Sequence, residues 1–315
     1  MLTLLVGHAA SGQTPTAAPA ILTFRAGVDR VTISAVVHDH NGKLVTGLVQ
    51  SDLEVLDSGE RRPITDFRAE RAAVSVALLF DVSGSMEVAA KIEAARLAAR
   101  QVLTWLEVGR DELAIYSFDT ALHQLEPFAL YQEGGALERS LFGIAPFGMT
   151  SLNDAIAATA KDLATRPNSH RAVIVLTDGR DNHSQLSPAE VSGIASSIDV
   201  PVYIMAVVSP LDHAGAATAV STESPVPVGD LADLANWTGG EFFVTSATTE
   251  TSLAARQIVE ELRHQYLIAF EPASRPGWHP IEVRARDRQL VVRARGGYMA
   301  GQPRTDRFEA VNRWQ

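Results

Sequence analysis

The chain has 315 residues, more than the roughly 100 to 200 of one ordinary domain, so we expect one elaborated domain or two domains. Hydrophobic residues make up 46% and charged residues 20%, which is typical of a globular protein and excludes a mainly disordered chain. The formal charge of −10 argues against nucleic acid as a partner, and the absence of cysteine excludes disulfides, thiolate metal ligands and cysteine nucleophiles.

The first twenty residues contain no Asp, Glu, Lys or Arg and begin with a short apolar run, Leu2 to Val6. This resembles the end of a signal peptide, although a complete one has a basic start and roughly 7 to 15 apolar residues. We therefore expect an exported chain, periplasmic or secreted, with a truncated or missing signal peptide and a linker at residues 1–20. A cytoplasmic protein is the alternative. No apolar stretch reaches the ~18 residues of a transmembrane helix.

Residues 21–72 have a short, β-like pattern. Apolar and polar residues alternate from Val31 to Val37, Asn41-Gly42 predicts a hairpin turn, and apolar residues return from Leu53 to Leu56. The pattern predicts a small antiparallel sheet. We expect this segment to be the N-terminal part of a β domain.

From Val74 the pattern changes to apolar strands separated by amphipathic helices. Strands are predicted at Val74 to Phe80, Leu113 to Phe118, Ala172 to Thr177, Val202 to Val208 and Glu241 to Val244. A helix between Ile92 and Leu106 has apolar residues at three- and four-residue steps, and Ser187-Pro188-Ala189-Glu190 begins another helix. Residues 73–247 are therefore predicted to form an α/β domain: a doubly wound, mainly parallel sheet with helices on both faces.

The C-terminal part returns to a β pattern after a loop at residues 209–229 and a connecting helix. Strands are predicted at Tyr266 to Phe270, Ile281 to Ala285 and Leu290 to Ala294. We expect them to pair with the N-terminal strands, so that residues 248–300 complete a discontinuous β domain and residues 301–315 form a tail. The arginines between Arg284 and Arg295 alternate with apolar residues, which predicts the solvent face of a strand.

Carboxylate and hydroxyl side chains follow two of the predicted strands. Asp81-Val82-Ser83-Gly84-Ser85 follows the first and Thr177-Asp178-Gly179 another, while Gly148-Met149-Thr150-Ser151 precedes a helix that begins near Asn153. In a sheet of order 3-2-1-4-5-6 the first and fourth strands are adjacent at the switch point, so these side chains can converge. An all-oxygen set without His or Cys suits a hard divalent cation. We expect Mg²⁺, with Mn²⁺ or Ca²⁺ as alternatives, and one open coordination position.

The residues Asp81, Ser83, Ser85, Thr150 and Asp178, in this order, resemble the metal-ion-dependent adhesion site of the von Willebrand factor type A family. The resemblance covers roughly residues 74 to 247, and the flanks resemble a bacterial group of this family with β flanks. It implies that Ser83, Ser85 and Thr150 coordinate the metal directly, while Asp81 and Asp178 act mainly through water. It also implies that the metal accepts an acidic side chain of a protein partner.

Two other interpretations compete with adhesion. Haloacid dehalogenase-like phosphatases also place a strand-end Asp near magnesium, but they need a second Asp two residues later, where this chain has Ser83. An assembly or chaperone-like subunit that works with an ATPase is the second alternative. Asp181, Asn182 and His183 either surround the site or lie in a solvated loop. We expect a non-enzymatic, metal-dependent protein-binding module, and the sequence predicts neither its partner nor its oligomeric state.

Overall fold

The computed structural model describes residues 30–134, 140, 144–208, 228–273 and 275–300. The expected signal-peptide remnant, most of the 209–229 loop and the tail lie outside the described residues. The described residues form fourteen strands: β1 Val31–Asp39, β2 Leu53–Asp57, β3 Glu60–Arg62, β4 Ile64–Arg68, β5 Val74–Asp81, β6 Glu112–Phe118, β7 Leu122–Leu130, β8 His170–Thr177, β9 Val202–Val207, β10 Phe242–Thr245, β11 Tyr266–Phe270, β12 Gly277–Ala285, β13 Leu290–Ala294 and β14 Gly297–Ala300. The same residues form five α-helices: α1 Lys91–Thr104, α2 Leu152–Leu163, α3 Pro188–Ser197, α4 Val228–Thr238 and α5 Thr248–Arg263.

A six-stranded sheet of order β7-β6-β5-β8-β9-β10 forms the centre of the α/β region. Five of its strands are parallel and β7 is antiparallel to β6. Counted within this region, the order is 3-2-1-4-5-6, as predicted, and β5 and β8 are neighbours at its centre. Strand β7 was not predicted, because it lies at the edge of the sheet, none of its residues is fully buried, and His123, Gln124, Glu126 and Pro127 interrupt its apolar residues.

Helices cover both faces of this sheet. All eight residues of β5 are buried, and they contribute alternately to two apolar clusters, with Leu78 and Phe80 in one and Leu79 in the other. Helices α1 and α5 pack in the first cluster, and α2, α3 and α4 pack in the second. The prediction of a doubly wound α/β fold is confirmed.

The flanking strands form two four-stranded antiparallel sheets, β13-β1-β11-β4 and β14-β12-β2-β3. The N-terminal strands therefore pair with the C-terminal strands as expected, and they do so in two antiparallel sheets. The turn at Asn41-Gly42 is present, with the Gly42 N–H donating to the Asp39 carbonyl oxygen at 3.0 Å, but it leads only to an isolated bridge between His38 and Leu44. The pairing supports a discontinuous β domain, for which we propose residues 21–72 and the strands of residues 248–300; the connecting helix α5 packs on the six-stranded sheet.

The two connections to the α/β region lie side by side. Arg68, the last residue of β4, pairs with Leu267 in β11, and the Ala72 N–H donates to the carbonyl oxygen of Arg263 at 3.2 Å. The chain thus leaves the flanking sheets and returns to them at neighbouring points.

Two arginines predicted on a solvent face instead lie between the flanks and the α/β region, where Arg295 is buried and Arg293 is half-buried. The side chain of Arg295 is only 5% exposed; it donates to the carbonyl oxygens of Ser196 and Thr32, and its Nε lies 3.4 Å from Asp199 Oδ1. Arg293 pairs with acidic side chains of the α/β region. The prediction is wrong for these residues because the face of β13 that an isolated sheet would expose is covered here. It holds for Arg284, which is exposed.

Candidate metal centre

Asp81 ends β5 at the carboxyl edge of the sheet and is fully buried. Its Oδ2 accepts a hydrogen bond from Thr177 Oγ1 at 2.6 Å, and its Oδ1 accepts one from the Ser83 N–H at 2.9 Å. Burial raises the pKa of the Asp81 carboxyl to about 6 against the opposing effect of these hydrogen bonds, and the charge of Asp178 adds to the rise. The site therefore disfavours a negative charge unless a cation compensates it.

Two serine hydroxyls lie in the turn after β5. Ser83 is buried and Ser85 half-buried, and their Oγ atoms are 3.2 Å apart. The Gly84 N–H donates to the carbonyl oxygen of Gly148 at 3.1 Å, and a Cβ on Gly84 would lie 3.3 Å from that oxygen. Glycine at this position therefore permits the close approach of two loops.

Thr150 lies in the second of these loops and is buried. Its N–H donates to Asn182 Oδ1 at 2.8 Å, and its carbonyl oxygen accepts from the N–H groups of Asn182 and His183 at 3.1 and 3.0 Å. The Phe147 N–H donates to the carbonyl oxygen of Val82 at 2.9 Å. The Thr150 loop is thus tied to the turn after β5 on one side and to the loop after β8 on the other.

Asp178 follows β8 and is buried. Its Oδ2 accepts a hydrogen bond from Lys91 Nζ at 2.9 Å. Its Oδ1 is buried and has no hydrogen-bond partner within the described part of the chain. An unsatisfied buried carboxylate oxygen is costly, and a bound cation would remove this cost.

All five predicted site residues therefore lie on linked loops at the carboxyl ends of β5 and β8. The described residues contain no cluster of three or more His, Cys, Asp or Glu suited to a metal, so a cation here depends on the hydroxyl oxygens. The two carboxylates, the three hydroxyls and the unsatisfied Asp178 Oδ1 fit a hard divalent cation.

Sequence reasoning missed one positioning contact around the site and left two others open. Lys91 was not singled out, and it reaches Asp178 across 87 positions of the chain. Asp181 Oδ2 accepts from the Asn153 N–H at the start of α2 at 2.9 Å, and Asn182 holds Thr150. No local sequence pattern indicates contacts between residues that lie so far apart in the chain. The acidic and amide residues just after Asp178 were the one available signal.

The fold and the site together define an α/β domain with its ligand crevice at the switch point of a doubly wound sheet. Residues 76–180 match the family model of the von Willebrand factor type A domain. The chain thus contains a domain of the von Willebrand factor type A family.

Several solved structures are similar to this chain. Proximal thread matrix protein 1 from the mussel byssus, with a zinc-occupied MIDAS motif, matches with a TM-score of 0.50 and 16% identity over 65% of this chain and 50% of that chain. A von Willebrand factor type A protein from Catenulispora acidiphila matches with a TM-score of 0.49 and 12% identity over 86% and 72% of the two chains. The conserved hypothetical protein BatB from Bacteroides thetaiotaomicron matches with a TM-score of 0.47 and 18% identity over 60% and 98%.

No curated protein matches the chain.

Among the described helices, none combines the length and the apolar composition needed to cross a bilayer.

Proposed function

We propose that the chain is a non-enzymatic interaction module that binds a protein partner through a divalent cation. The observation that carries this proposal is the pair of buried carboxylates, Asp81 and Asp178, one with a raised pKa and the other with an unsatisfied oxygen. Membership in the von Willebrand factor type A family supports an interaction role, because its domains are typically interaction modules.

Each of the five residues has a distinct proposed part. Ser83, Ser85 and Thr150 would hold the cation directly through their hydroxyl oxygens, while Asp81 and Asp178 would compensate its charge from behind, mainly through water. Mg²⁺ is the proposed ion, with Mn²⁺ or Ca²⁺ as alternatives. A bound cation supplies an electrophilic position that accepts an oxygen ligand. Because the direct ligands are neutral, a carboxylate of the partner is the preferred group.

The surface around the site supports a protein partner. Phe147 is 80% exposed although its backbone is fixed by the hydrogen bond to Val82, and Met149, beside Thr150, is also exposed. Arg180 follows the Asp178-Gly179 turn; it is exposed and makes no hydrogen bond or ion pair with any residue that the structure describes. Exposed apolar side chains on an ordered loop are typical of a binding surface. We therefore propose a partner whose acidic side chain has an apolar neighbour.

The metal premise is tested by thermal unfolding of chelator-treated protein with added Mg²⁺ or Mn²⁺. Wild type should melt several degrees higher with the cation, because a ligand that binds only the folded state stabilises it. Ser83→Ala should remove this rise, since it deletes a proposed ligand hydroxyl. Ser197→Ala, a matched change at the exposed end of α3, should keep it. An unchanged melting temperature for wild type with either ion would refute the proposal.

Partner chemistry is tested with an immobilised array of short peptides. Peptides with Asp or Glu beside Leu should retain the protein in Mg²⁺ and release it in chelator, whereas the Asn or Gln versions should not retain it. Phe147→Ala should weaken retention without changing the melting response to Mg²⁺. Retention that is equal for acidic and amide peptides would contradict carboxylate recognition while leaving the metal site intact.

We also propose that the protein acts outside the cytoplasm. The support is the uncharged, partly apolar start of the sequence, which resembles the end of a signal peptide. N-terminal sequencing of the native protein tests this. A mature chain that begins after residue 10 supports export, and one that begins at Met1 in the cytosolic fraction contradicts it and favours the ATPase-linked alternative.

A further inference from the structure

Two tryptophan side chains that do not belong to the cation site are largely exposed. Trp237, at the end of α4, is 50% exposed, and Trp278, in β12, is 40% exposed. Both line one cavity of about 490 Å³. Large aromatic side chains that remain half-exposed on ordered elements are enriched at binding surfaces.

The backbone fixes the position of both rings. The carbonyl oxygen of Trp237 accepts from the Gly296 N–H at 2.8 Å and from Ser196 Oγ at 2.9 Å, while Trp278 pairs with Met299 in the sheet. A Cβ on Gly296 would overlap the ring of Trp237, and a Cβ on Gly297 would overlap the ring of Trp278. Two consecutive glycines therefore let each indole pack closely on the backbone.

Two carboxylates border the same cavity. Asp230 and Asp233 lie three positions apart on α4 and are exposed. Neither carboxylate makes a hydrogen bond or an ion pair with another residue of the described ranges. The wall formed by α3 is made of small residues, and a Cβ on Gly193 would meet nothing within 4 Å. The cavity thus combines two aromatic rings, two negative charges without a basic partner among the described residues, and room for a ligand beside Gly193. We call it the tryptophan groove, defined by Asp230, Asp233, Trp237 and Trp278.

We propose that the tryptophan groove binds an arginine side chain in an extended segment of a partner protein. Charge complementarity selects a cation, because the two carboxylates lack a basic partner among the described residues. The indole rings select a planar, weakly hydrated cation that stacks on an aromatic face. A guanidinium suits both features of the groove, because it stacks on an aromatic ring and donates two parallel hydrogen bonds to a carboxylate. The compact ammonium of lysine is more strongly hydrated and does not stack in this way.

The probe is the blocked peptide acetyl-Gly-Arg-Gly-amide, titrated into the full chain carrying ¹⁵N-labelled indoles. The chain has four tryptophans, so the indole signals are few and can be assigned by substitution. The signals of Trp237 and Trp278 should shift on titration. The signal of Trp105, whose ring lies under Arg256, should not. The same peptide with citrulline, the neutral isostere of arginine, should bind roughly tenfold more weakly or not at all.

Variants separate the roles of the groove residues. Asp230→Asn with Asp233→Asn should weaken the arginine peptide by at least about tenfold. Asp287→Asn, a matched change in the turn at the opposite end of β12 from Trp278, should not. The asparagine variants alter exposed side chains and leave the packing of the rings on the glycines intact. Equal binding of the citrulline peptide, or unchanged binding by the double variant, would overturn the proposal.

Two further results decide what occupies the groove. Binding should persist in chelator and in Ser83→Ala, because the groove is independent of the cation site; loss of binding under either condition would overturn that independence and the proposal with it. Residues 301–315, which follow β14, contain Arg304, Arg307 and Arg313. If a chain ending at Ala300 binds the probe far more tightly than the full chain, that segment is the occupant and a separate partner is refuted.

Discussion

Lys91 and Asp178 form a buried ion pair at the candidate cation site, with Nζ 2.9 Å from Oδ2 and the lysine side chain 12% exposed. The lysine compensates one carboxylate and at the same time opposes a second positive charge nearby. Loss of this lysine should therefore lower the stability of the metal-free protein and raise its affinity for the cation.

We expect Lys91→Met to lower the stability of the metal-free protein by about 3 kcal/mol, because it leaves a buried carboxylate unpaired. The same variant should bind Mg²⁺ roughly tenfold more tightly, since the cation then replaces the missing charge. Calorimetric titration and urea unfolding measure the two effects. Lys43→Met, in an exposed turn, is the control. Weaker Mg²⁺ binding by Lys91→Met would show that the lysine organises the site and does not compete with the ion.

Asn182 should control cation affinity without touching the ion. Its Oδ1 accepts the Thr150 N–H, so Asn182→Ala frees the loop that presents a proposed ligand. We expect cation affinity to fall by about 10- to 100-fold, as is usual when a residue that orients a metal ligand is lost. Asn236→Ala, at an exposed position of α4, should leave the cation affinity unchanged. Equal Mg²⁺ titration curves for Asn182→Ala and wild type would show that Asn182 does not orient a ligand of the cation.

Cation binding should weaken as the pH falls through about 6, because the raised pKa of Asp81 lets a proton compete with the ion. In the metal-free protein the sign is the reverse. The folded-state pKa of Asp81 lies above its ordinary value of 3.8, so its contribution to stability is present at low pH and is lost as the pH rises from 3.8 through about 6.

Melting temperatures at about pH 5 and pH 7.5, with and without Mg²⁺, check both signs. The rise caused by Mg²⁺ should be small at the lower pH and large at the higher pH. Asp81→Asn should abolish the rise at both values. A Mg²⁺ response that is independent of pH in wild type would contradict this role of Asp81.

Arg295 should stabilise the junction between the flanking sheets and the α/β region. Its guanidinium donates to two carbonyl oxygens and lies beside Asp199, a geometry that a single ammonium cannot reproduce. We expect Arg295→Lys to lower the free energy of unfolding by roughly 3 kcal/mol. Arg284→Lys, at an exposed position in β12, should change it little. Similar losses for the two variants in urea unfolding would contradict a specific role for the buried arginine.

The α/β region could be predicted because its signals are local. The buried strand β5 is a continuous apolar run, and Ser187 and Glu190 form the reciprocal hydrogen bonds of a helix start, as their spacing predicted. The five candidate site residues were found in the same way, because four of them lie at two strand ends that the sheet order brings together and Thr150 lies just before a helix. Their assignment as metal ligands stays a prediction.

The contacts that were missed connect distant parts of the chain. Lys91 pairs with a carboxylate 87 positions away, and Arg295 donates to Thr32, 263 positions away. Alternation in β13 correctly predicted a strand but not what covers its outer face. Strand β7 escaped notice because an edge strand satisfies its backbone on one side and needs no apolar run.

The neighbouring connections at Arg68–Leu267 and Ala72–Arg263 have a mechanical consequence. If the N-terminal and C-terminal flanks were pulled apart, the force would act on the hydrogen bonds between β1 and β13 and between β4 and β11. It would not pass through the six-stranded sheet. A pull on a partner held at the cation site would instead reach the flanks through both connections together. Stretching of the chain would therefore not load the contact at the cation site. A force on that contact would be divided between β4 and β11.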